Sequence, residues 1–222
     1  HLVCDKVLRS GAADGHSGRA LDDAEADFAR GLGLDLIITD HHQPAESLPK
    51  AFAIVNPKQP GDQYPDKELA GVGVAYKIAE ALIEERHSDY DKAQLLDLVA
   101  LGTVADLAPL TGENRCLVRK GLERIQATSR QGLFSLANVS ELNIALTNAS
   151  NIGFTLGPRL NAAGRLESAL AAFELLTTQD VMRAGQLALQ LDQNNRDRQA
   201  LTRQIQERAE AMVLAEDPHA DL

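Results

Sequence analysis

The chain has 222 residues, a net charge of −10, 44% hydrophobic residues and two cysteines. This length supports at least one domain with a hydrophobic core that needs no disulfide. The acidic balance argues against a protein that binds nucleic acid through a broadly basic surface. A site that gathers carboxylates around divalent cations remains compatible with it, because such a site is acidic until the cations bind.

Cys4 and Cys116 lie far apart and outside any metal-ligand spacing, which indicates a reducing compartment. No run approaches the ~20 apolar residues of a membrane span, and no signal peptide opens the chain. We therefore expect a cytoplasmic protein without a membrane partner. The chain starts at His1 and ends just after a long helical pattern, so we expect it to be part of a longer protein.

The most informative stretch is an apolar run that ends in Asp40, His41 and His42. Leu36 to Ile38 predict a buried parallel strand, and a helix over Ala20 to Leu32, stopped by Gly33, precedes it. Ligands bind at the carboxyl ends of the strands of an open α/β sheet. One carboxylate and two imidazoles at that edge therefore suit a metal site. The alternative is an aspartate N-cap followed by two loop histidines.

A second carboxylate, Asp106, follows an apolar segment. The pattern predicts a strand over Ala51 to Val55, a helix from Gly71 to about Arg86, and a helix over Ala93 to Leu101 that Gly102 breaks. A charged Asp106 in such surroundings requires a partner, and a cation is the simplest one. A cap of the turn at Pro109 explains this aspartate equally well.

The segment Gly157 to Arg165 follows a strand predicted over Ile152 to Leu156 and is interpreted as a turn rich in Gly and Pro. Guanidinium groups on such a turn suit a phosphodiester, because each can donate two parallel hydrogen bonds to anionic oxygens. An ordinary surface turn is the alternative. Helices predicted elsewhere in this half of the chain cover Asn114 to Ile125, Leu133 to Leu136, and Glu167 to Leu214 with a break near Thr177 to Asp180.

Four of these stretches occur together in the same order in one known family. They are Thr39–His42, Leu69–Ala75, Leu98–Asp106 and Gly157–Arg165. From about Gly31 to Arg208 the chain resembles the RecJ exonucleases of the DHH phosphoesterase superfamily. With the alternation of strands and helices, this predicts an α/β fold with a parallel sheet and helices on both faces, followed by a long connecting helix.

The resemblance implies a two-metal phosphodiesterase that uses Mn²⁺ or Mg²⁺ and degrades single-stranded DNA from 5′ to 3′ in repair and recombination. It implies metal ligation by His41, Asp106 and Asp14, catalytic roles for His42 and Asp40, and substrate binding by Arg159, Asn161 and Arg165. It also implies a DHH domain over residues 1–176 and a helical connector over 177–222 toward a further domain. Single-strand-binding protein or a helicase would be possible partners.

The beginning of the chain departs from the family. No Asp-x-Asp motif precedes Asp40, and Asp14 matches the next family motif only by spacing, whereas Asp5 has the apolar lead but lies too far upstream. We therefore expect an incomplete two-metal site and impaired activity of this chain alone. Two alternatives remain at this stage: a DHH phosphodiesterase of oligonucleotides or cyclic dinucleotides, and an inactive DHH scaffold that binds repair partners.

Overall fold

The sheet has three parallel strands in the order β1-β2-β3: β1 (Leu2–Val3), β2 (Leu36–Thr39) and β3 (Ala53–Val55). They belong to a computed structural model that describes residues 2–3, 23–162 and 166–216. Cα partners pair Ile37 with Ala53 and Thr39 with Val55, so β2 and β3 end side by side. The predicted α/β class with a parallel sheet is confirmed. Helix α1 (Asp23–Gly31) precedes β2. Gly33, two residues after this helix, has a φ of +70°, as expected for a glycine that stops a helix.

The described part of the chain divides into two compact units. The first contains residues up to Thr128 together with Ile144–Gly153, and the second contains Ser129–Asn143 and the residues from Phe154 onward. Within the described residues, none of the helices combines the length and apolar character that crossing a bilayer requires. The predicted boundary near residue 176 and the connector role of 177–222 stay predictions.

The first unit adds three longer helices to the sheet: α2 (Gly71–Glu85), α3 (Leu96–Ala105) and α4 (Gly112–Gln126). One turn of 3₁₀ helix, Lys92–Leu95, leads into α3, and another covers Ile144–Leu146. Leu69, Val74, Leu96, Val99 and Leu117 form the core between the helices, each with at most 7% of its surface exposed. Their burial supplies the hydrophobic stabilisation of this unit.

The sequence predicted that Gly102 breaks the helix before it, but this glycine lies inside α3. A Cβ at this position would come within 2.8 Å of the Val72 Cγ1, so the glycine permits α2 and α3 to pack closely. The burial of α2 changes along its length. Val74 is buried, but Leu82 is 54% exposed, because the core covers only the first half of that helix.

The second unit consists of helices. They are α5 (Gln131–Val139) and, after the short helix α6 (Ala149–Asn151) of the first unit, α7 (Gly157–Asn161), α8 (Leu166–Thr177) and α9 (Val181–Glu216). The predicted break between α8 and α9 is confirmed, and Asp180 caps α9 by accepting a hydrogen bond from the Arg183 N–H at 3.0 Å. Leu187 and Leu191 are buried in α9, whereas Leu201 and Ile205 are more than half exposed. The buried leucines of α9 therefore lie in its N-terminal part.

The strand predicted over Ile152 to Leu156 is wrong, because these residues form one turn of π-helix between α6 and α7. The turn predicted over Gly157 to Arg165 is likewise helical from Gly157 to Asn161. Pro158 lacks an N–H and clashes with the preceding turn of a regular helix. It is tolerated here because it lies in the first turn of α7, directly after the wider π-helix.

Candidate metal centre

The loops after β2 and α3 bring an imidazole and a carboxylate together. His41 lies two residues beyond β2, and Asp106 directly follows α3. The His41 Nδ1 is 3.6 Å from the Asp106 Oδ2, which is within the reach of one shared cation with metal–ligand bonds of ~2.1 Å. Two of the side chains that the resemblance implies as metal ligands therefore lie close together.

His41 lies against the beginning of α2. A Cβ added to Gly71 would be 3.2 Å from the His41 Cδ2 and 3.6 Å from its Nε2. A side chain at this position would therefore press on the ring, and glycine lets the imidazole settle against the helix backbone. The first glycine of the Gly71-Val72-Gly73 motif thus positions a candidate ligand, whereas Gly73 gives room to Leu69.

Asp40 organises the two histidines through hydrogen bonds. Its Oδ1 accepts hydrogen bonds from the backbone N–H of His41 at 2.7 Å and of His42 at 3.1 Å, and it lies 2.7 Å from the His42 Nδ1. Burial alone would raise the pKa of the Asp40 carboxyl, but the hydrogen bonds from His42 and His41 outweigh burial and lower that pKa. Asp40 is therefore a carboxylate that fixes the His42 ring through its Nδ1 hydrogen. In the neutral ring this leaves Nε2 as an acceptor.

The two imidazoles are adjacent but differently exposed. Their ring centroids are 4.2 Å apart and tilted by 45°, and the side chains are 19% exposed for His41 and 57% for His42. One ligand atom from each of Asp40, His41 and His42 can be chosen so that all three lie within 4.8 Å of one another. Imidazole and carboxylate donors together suit Mn²⁺, and carboxylates suit Mg²⁺. The donor set therefore fits a divalent cation.

These side chains open into a cleft of about 260 Å³. The residues that line it are His41, His42, Gln43, Lys58, Glu68, Asp106, Leu107, Ala108 and Pro109. Sequence reasoning missed Lys58 and Glu68, since the Asn56-Pro57 pair before Lys58 indicated only a turn. The available signal was the position of Lys58 after β3, which matches that of His42 after β2.

Leu107, the neighbour of Asp106, has an unusual conformation for a leucine. Its φ is +57° and it is 87% exposed, so neither its backbone nor its side chain is in a favourable state. Replacing Leu107 with glycine should stabilise the first unit by up to about 1 kcal/mol, because glycine adopts this conformation without strain. Urea unfolding followed by tyrosine fluorescence measures this gain. Alanine keeps the Cβ and serves as the control, and equal stability of both variants would contradict the strain.

The loop that carries Lys58 and Glu68 is fastened to the start of α4. Asp66 accepts a hydrogen bond from the Glu113 N–H at 2.6 Å, and so caps a helix whose own Thr111 provides no side-chain cap. The buried Asn114 donates from its Nδ2 to the Glu68 carbonyl at 2.6 Å. Tyr64 donates its hydroxyl hydrogen to Glu113, which also pairs with Lys77 at 2.7 Å. This part of the cleft wall is thus held by partly buried polar contacts.

The Tyr64 contact predicts an alkaline pH dependence. Burial, followed by the hydrogen bond to Glu113 and the charge of that carboxylate, raises the pKa of Tyr64 to about 12. Because the folded pKa lies above the unfolded value near 10, this stabilisation is complete below about pH 10 and is lost as the pH rises toward about 12. Across this range the unmodified chain should lose more unfolding free energy than Tyr64→Phe.

Urea unfolding at several alkaline pH values measures the Tyr64 contribution. Tyr90→Phe changes an exposed tyrosine of the same unit and is the matched control. If Tyr64→Phe and Tyr90→Phe followed the unmodified chain equally, the Tyr64 hydrogen bond would contribute nothing to stability.

The remaining predicted site residues lie outside the described residues or in the second unit. Asp14 and Arg165 lie outside the described residues. Arg159 is on α7 in the second unit, where its Nε donates to the buried Asp192 at 2.8 Å and its Nη1 donates to the Thr155 carbonyl at 2.8 Å. Asn161 ends α7 and is exposed. The predicted site roles of all these residues stay predictions.

Comparison with known proteins gives a consistent result. Residues 15–103 match the DHH family, N-terminal domain. The single-stranded-DNA-specific exonuclease RecJ of Bacillus subtilis is 50% identical over 189 residues, which are 85% of this chain and 23% of that protein. This chain thus spans about a quarter of that relative.

Two solved structures of RecJ from Thermus thermophilus are also similar. The complex with Mn²⁺ has a TM-score of 0.72 and 36% identity, covering 91% of this chain and 30% of the other. The complex with Mg²⁺ has a TM-score of 0.65 and 36% identity, covering 86% and 27%. The likeness in structure therefore extends through most of this chain.

Proposed function

We propose that this chain is the metal-binding part of a phosphodiesterase that degrades single-stranded DNA from 5′ to 3′. The match of residues 15–103 to the DHH family and the similarity to RecJ exonucleases over most of the chain support this proposal. The observation that carries the proposal is the 3.6 Å approach of His41 and Asp106 in a cleft that His42 shares. The relatives are named as single-stranded-DNA-specific exonucleases, which supports this substrate class. A role in DNA repair and recombination stays a prediction.

Mn²⁺ or Mg²⁺ is the proposed cofactor, with His41 and Asp106 as the ligands that the described residues offer. Similar structures contain one or the other of these ions. When bound, such ions can activate a water molecule and stabilise the charge that develops on a phosphate. Asp14 is proposed as a further ligand on the family pattern alone.

His42 would transfer a proton beside the bound phosphate, and Asp40 would hold the His42 ring in place. Asp40 holds the His42 Nδ1 at 2.7 Å, so the ring has one orientation and one favoured tautomer. The exposed imidazole lines the cleft and can donate or accept a proton beside a phosphate bound there. Asp40 is therefore the positioning residue, and His42 is the residue that meets the substrate.

The roles proposed for Arg159, Asn161 and Arg165 in substrate binding rest on the family motif. For Arg159 the structure adds a partner, because Asp192 orients its guanidinium and also pairs with Arg196 at 2.8 Å. A buried carboxylate between two guanidinium groups leaves a net positive charge at this end of α7. Such a charge suits a DNA backbone. Single-strand-binding protein or a helicase as partners, and a cytoplasmic location, remain predictions.

The proposal is tested by assaying this chain on single-stranded DNA that carries a 5′-phosphate and a label at its 3′ end, with Mn²⁺ and with a chelator. Slow metal-dependent shortening from the 5′ end, absent on duplex DNA of the same sequence, is the expected result, because the two-metal site of this chain alone is expected to be incomplete. A folded chain that binds Mn²⁺ by calorimetry but releases no nucleotide even on prolonged incubation would contradict the nuclease proposal. A folded chain that binds no Mn²⁺ would contradict the metal site.

A further inference from the structure

Lys58 has the same relation to β3 that the histidines have to β2. The two strands are parallel neighbours, and the backbone N–H of Asp40 still donates to the Val55 carbonyl at 3.1 Å. The residues after Val55 therefore emerge beside the residues after Thr39, at the edge that holds the candidate metal ligands. This explains why Lys58 lines the cleft with His41, His42 and Asp106.

Asn56 fixes this arrangement. It is 3% exposed, its Nδ2 donates to the His42 carbonyl at 3.0 Å, and its Oδ1 accepts from the Lys58 N–H at 2.9 Å. One buried side chain thus joins the backbone of the histidine loop to the backbone of Lys58. The distance between the two loops cannot change without breaking one of these hydrogen bonds, so the Lys58 backbone is pre-positioned for the cleft.

The charge of Lys58 is distinctive at this place. Of the described residues that line the cleft, Lys58 alone carries a fixed positive charge, whereas Glu68 and Asp106 are acidic. The Lys58 Nζ is 3.1 Å from the Glu68 Oε2, with 23% of the lysine side chain and 52% of the glutamate side chain exposed. A pair exposed to this degree contributes little to stability, so its ammonium can exchange the carboxylate for another anion at small cost.

We propose that Lys58 binds a non-bridging oxygen of the phosphate at the His41–Asp106 site, and that Glu68 holds its ammonium in the cleft when no phosphate is present. This inference rests on the proposed function, since it takes the ligand of the cleft to be a DNA phosphate. The phosphate oxygen replaces the Glu68 carboxylate as the partner of the ammonium. No covalent bond changes, and one charge-assisted hydrogen bond replaces another.

The chain offers a matched control on the same loop. Lys67 pairs with Asp62 at 2.9 Å and lies outside the residues that line the cleft. Lys58→Met and Lys67→Met therefore each remove one positive charge and one partly exposed ion pair. Lys67→Met also removes a hydrogen bond to the Asp62 carbonyl at 2.8 Å. A general effect of net charge or of loop stability would appear in both variants, whereas a phosphate contact would appear only in Lys58→Met.

The experiment measures the affinity of each variant for a 5′-phosphorylated single-stranded oligodeoxythymidine by fluorescence anisotropy in Ca²⁺, and Mn²⁺ affinity by calorimetry. Lys58→Met should weaken oligonucleotide binding about 10- to 100-fold, because one phosphate contact is lost. The negative slope of log K against log salt should become shallower by about 0.7. Lys67→Met should bind as the unmodified chain does. Lys58→Arg should stay within about threefold of the unmodified affinity.

Four results would overturn the inference. If Lys58→Met and Lys67→Met bound the oligonucleotide equally well, Lys58 would make no contact with the phosphate. A loss of Mn²⁺ affinity in Lys58→Met, or failure of Lys58→Arg to restore binding in a folded protein, would show a purely structural role. A loss in Glu68→Gln as large as that in Lys58→Met would contradict the exchange of partners, which predicts binding at least as tight as before.

The proposed function fails in a different way. His41→Ala removes a candidate metal ligand and leaves Lys58 in place. If His41→Ala and the unmodified chain bound Mn²⁺ equally, the metal site would be wrong whatever Lys58 does. Unchanged oligonucleotide affinity in Lys58→Met, together with lost Mn²⁺ affinity in His41→Ala, would refute only the inference about Lys58.

Discussion

Asp106→Asn should lower the affinity of the chain for Mn²⁺ about 100-fold or more and remove the metal-dependent nuclease activity proposed for it. The substitution keeps the shape of the side chain but removes the charge that faces the His41 Nδ1 at 3.6 Å. Loss of an outer-shell partner of a metal ligand already costs about 10- to 100-fold in affinity, so loss of a direct carboxylate ligand should reach at least the upper end of that range.

The fold should tolerate Asp106→Asn. The Asp106 side chain is 42% exposed, and its backbone N–H, which the substitution leaves intact, donates to the Gly102 carbonyl at 2.9 Å. We expect a change in unfolding free energy within about 0.5 kcal/mol. Calorimetric titration with Mn²⁺ measures the affinity, and Asp89→Asn, at an exposed position outside the cleft, controls for the loss of one negative charge. Equal Mn²⁺ affinities of the two variants would rule out Asp106 as a ligand.

The second large effect concerns stability. Gly121→Ala should destabilise the first unit by about 3 kcal/mol or more, because a Cβ there would come within 2.2 Å of the Leu96 carbonyl oxygen and 2.5 Å of the Ala100 Cβ. Neither atom can rotate away, since one belongs to the backbone of α3 and the other is attached directly to it. Helices α3 and α4 would have to separate, which costs more than ordinary overpacking of flexible side chains.

Urea unfolding monitored by tyrosine fluorescence reports this effect selectively. The chain has three tyrosines, Tyr64, Tyr76 and Tyr90, and no tryptophan, and all three tyrosines lie in the first unit. Gly31→Ala, at the end of α1 with open space around the new methyl group, is the control and should leave stability equal or slightly higher. A loss below about 1 kcal/mol for Gly121→Ala would contradict the close approach of the two helices.

The sequence was most predictive where one local signal determined the outcome. The apolar run into Asp40 and the two histidines predicted both a parallel strand and the position of the site at its end. In the same way, the polar stretch from Thr177 to Asp180 predicted the break before α9. These features depend on residues within one or two turns of each other, so no tertiary information was needed.

Other features depended on contacts that local patterns do not contain. Ile152 to Leu156 resembled a strand because of its β-branched and aromatic residues, yet Ile152 and Leu156 are fully buried while Phe154 is 84% exposed. A strand would place all three on one face, whereas the spacing of four between the buried pair is helical. Predicting that Lys58 lines the cleft required the register of two strands. The partner of Arg159 is 33 residues away in the sequence, on α9.

The register of β2 against β3 has a consequence for changes in chain length. Residues 43–50 connect the two strands without contributing to their pairing, so an insertion there would lengthen the crossover and leave the strand ends aligned. A single residue inserted within Ala53–Val55 would instead turn the following side chains of the strand, and of the residues that leave it, to the opposite face of the sheet. Asn56 would then turn away from the His42 carbonyl, and Lys58 would leave the cleft. Natural length variation among related chains should therefore be common in the crossover and rare within β3.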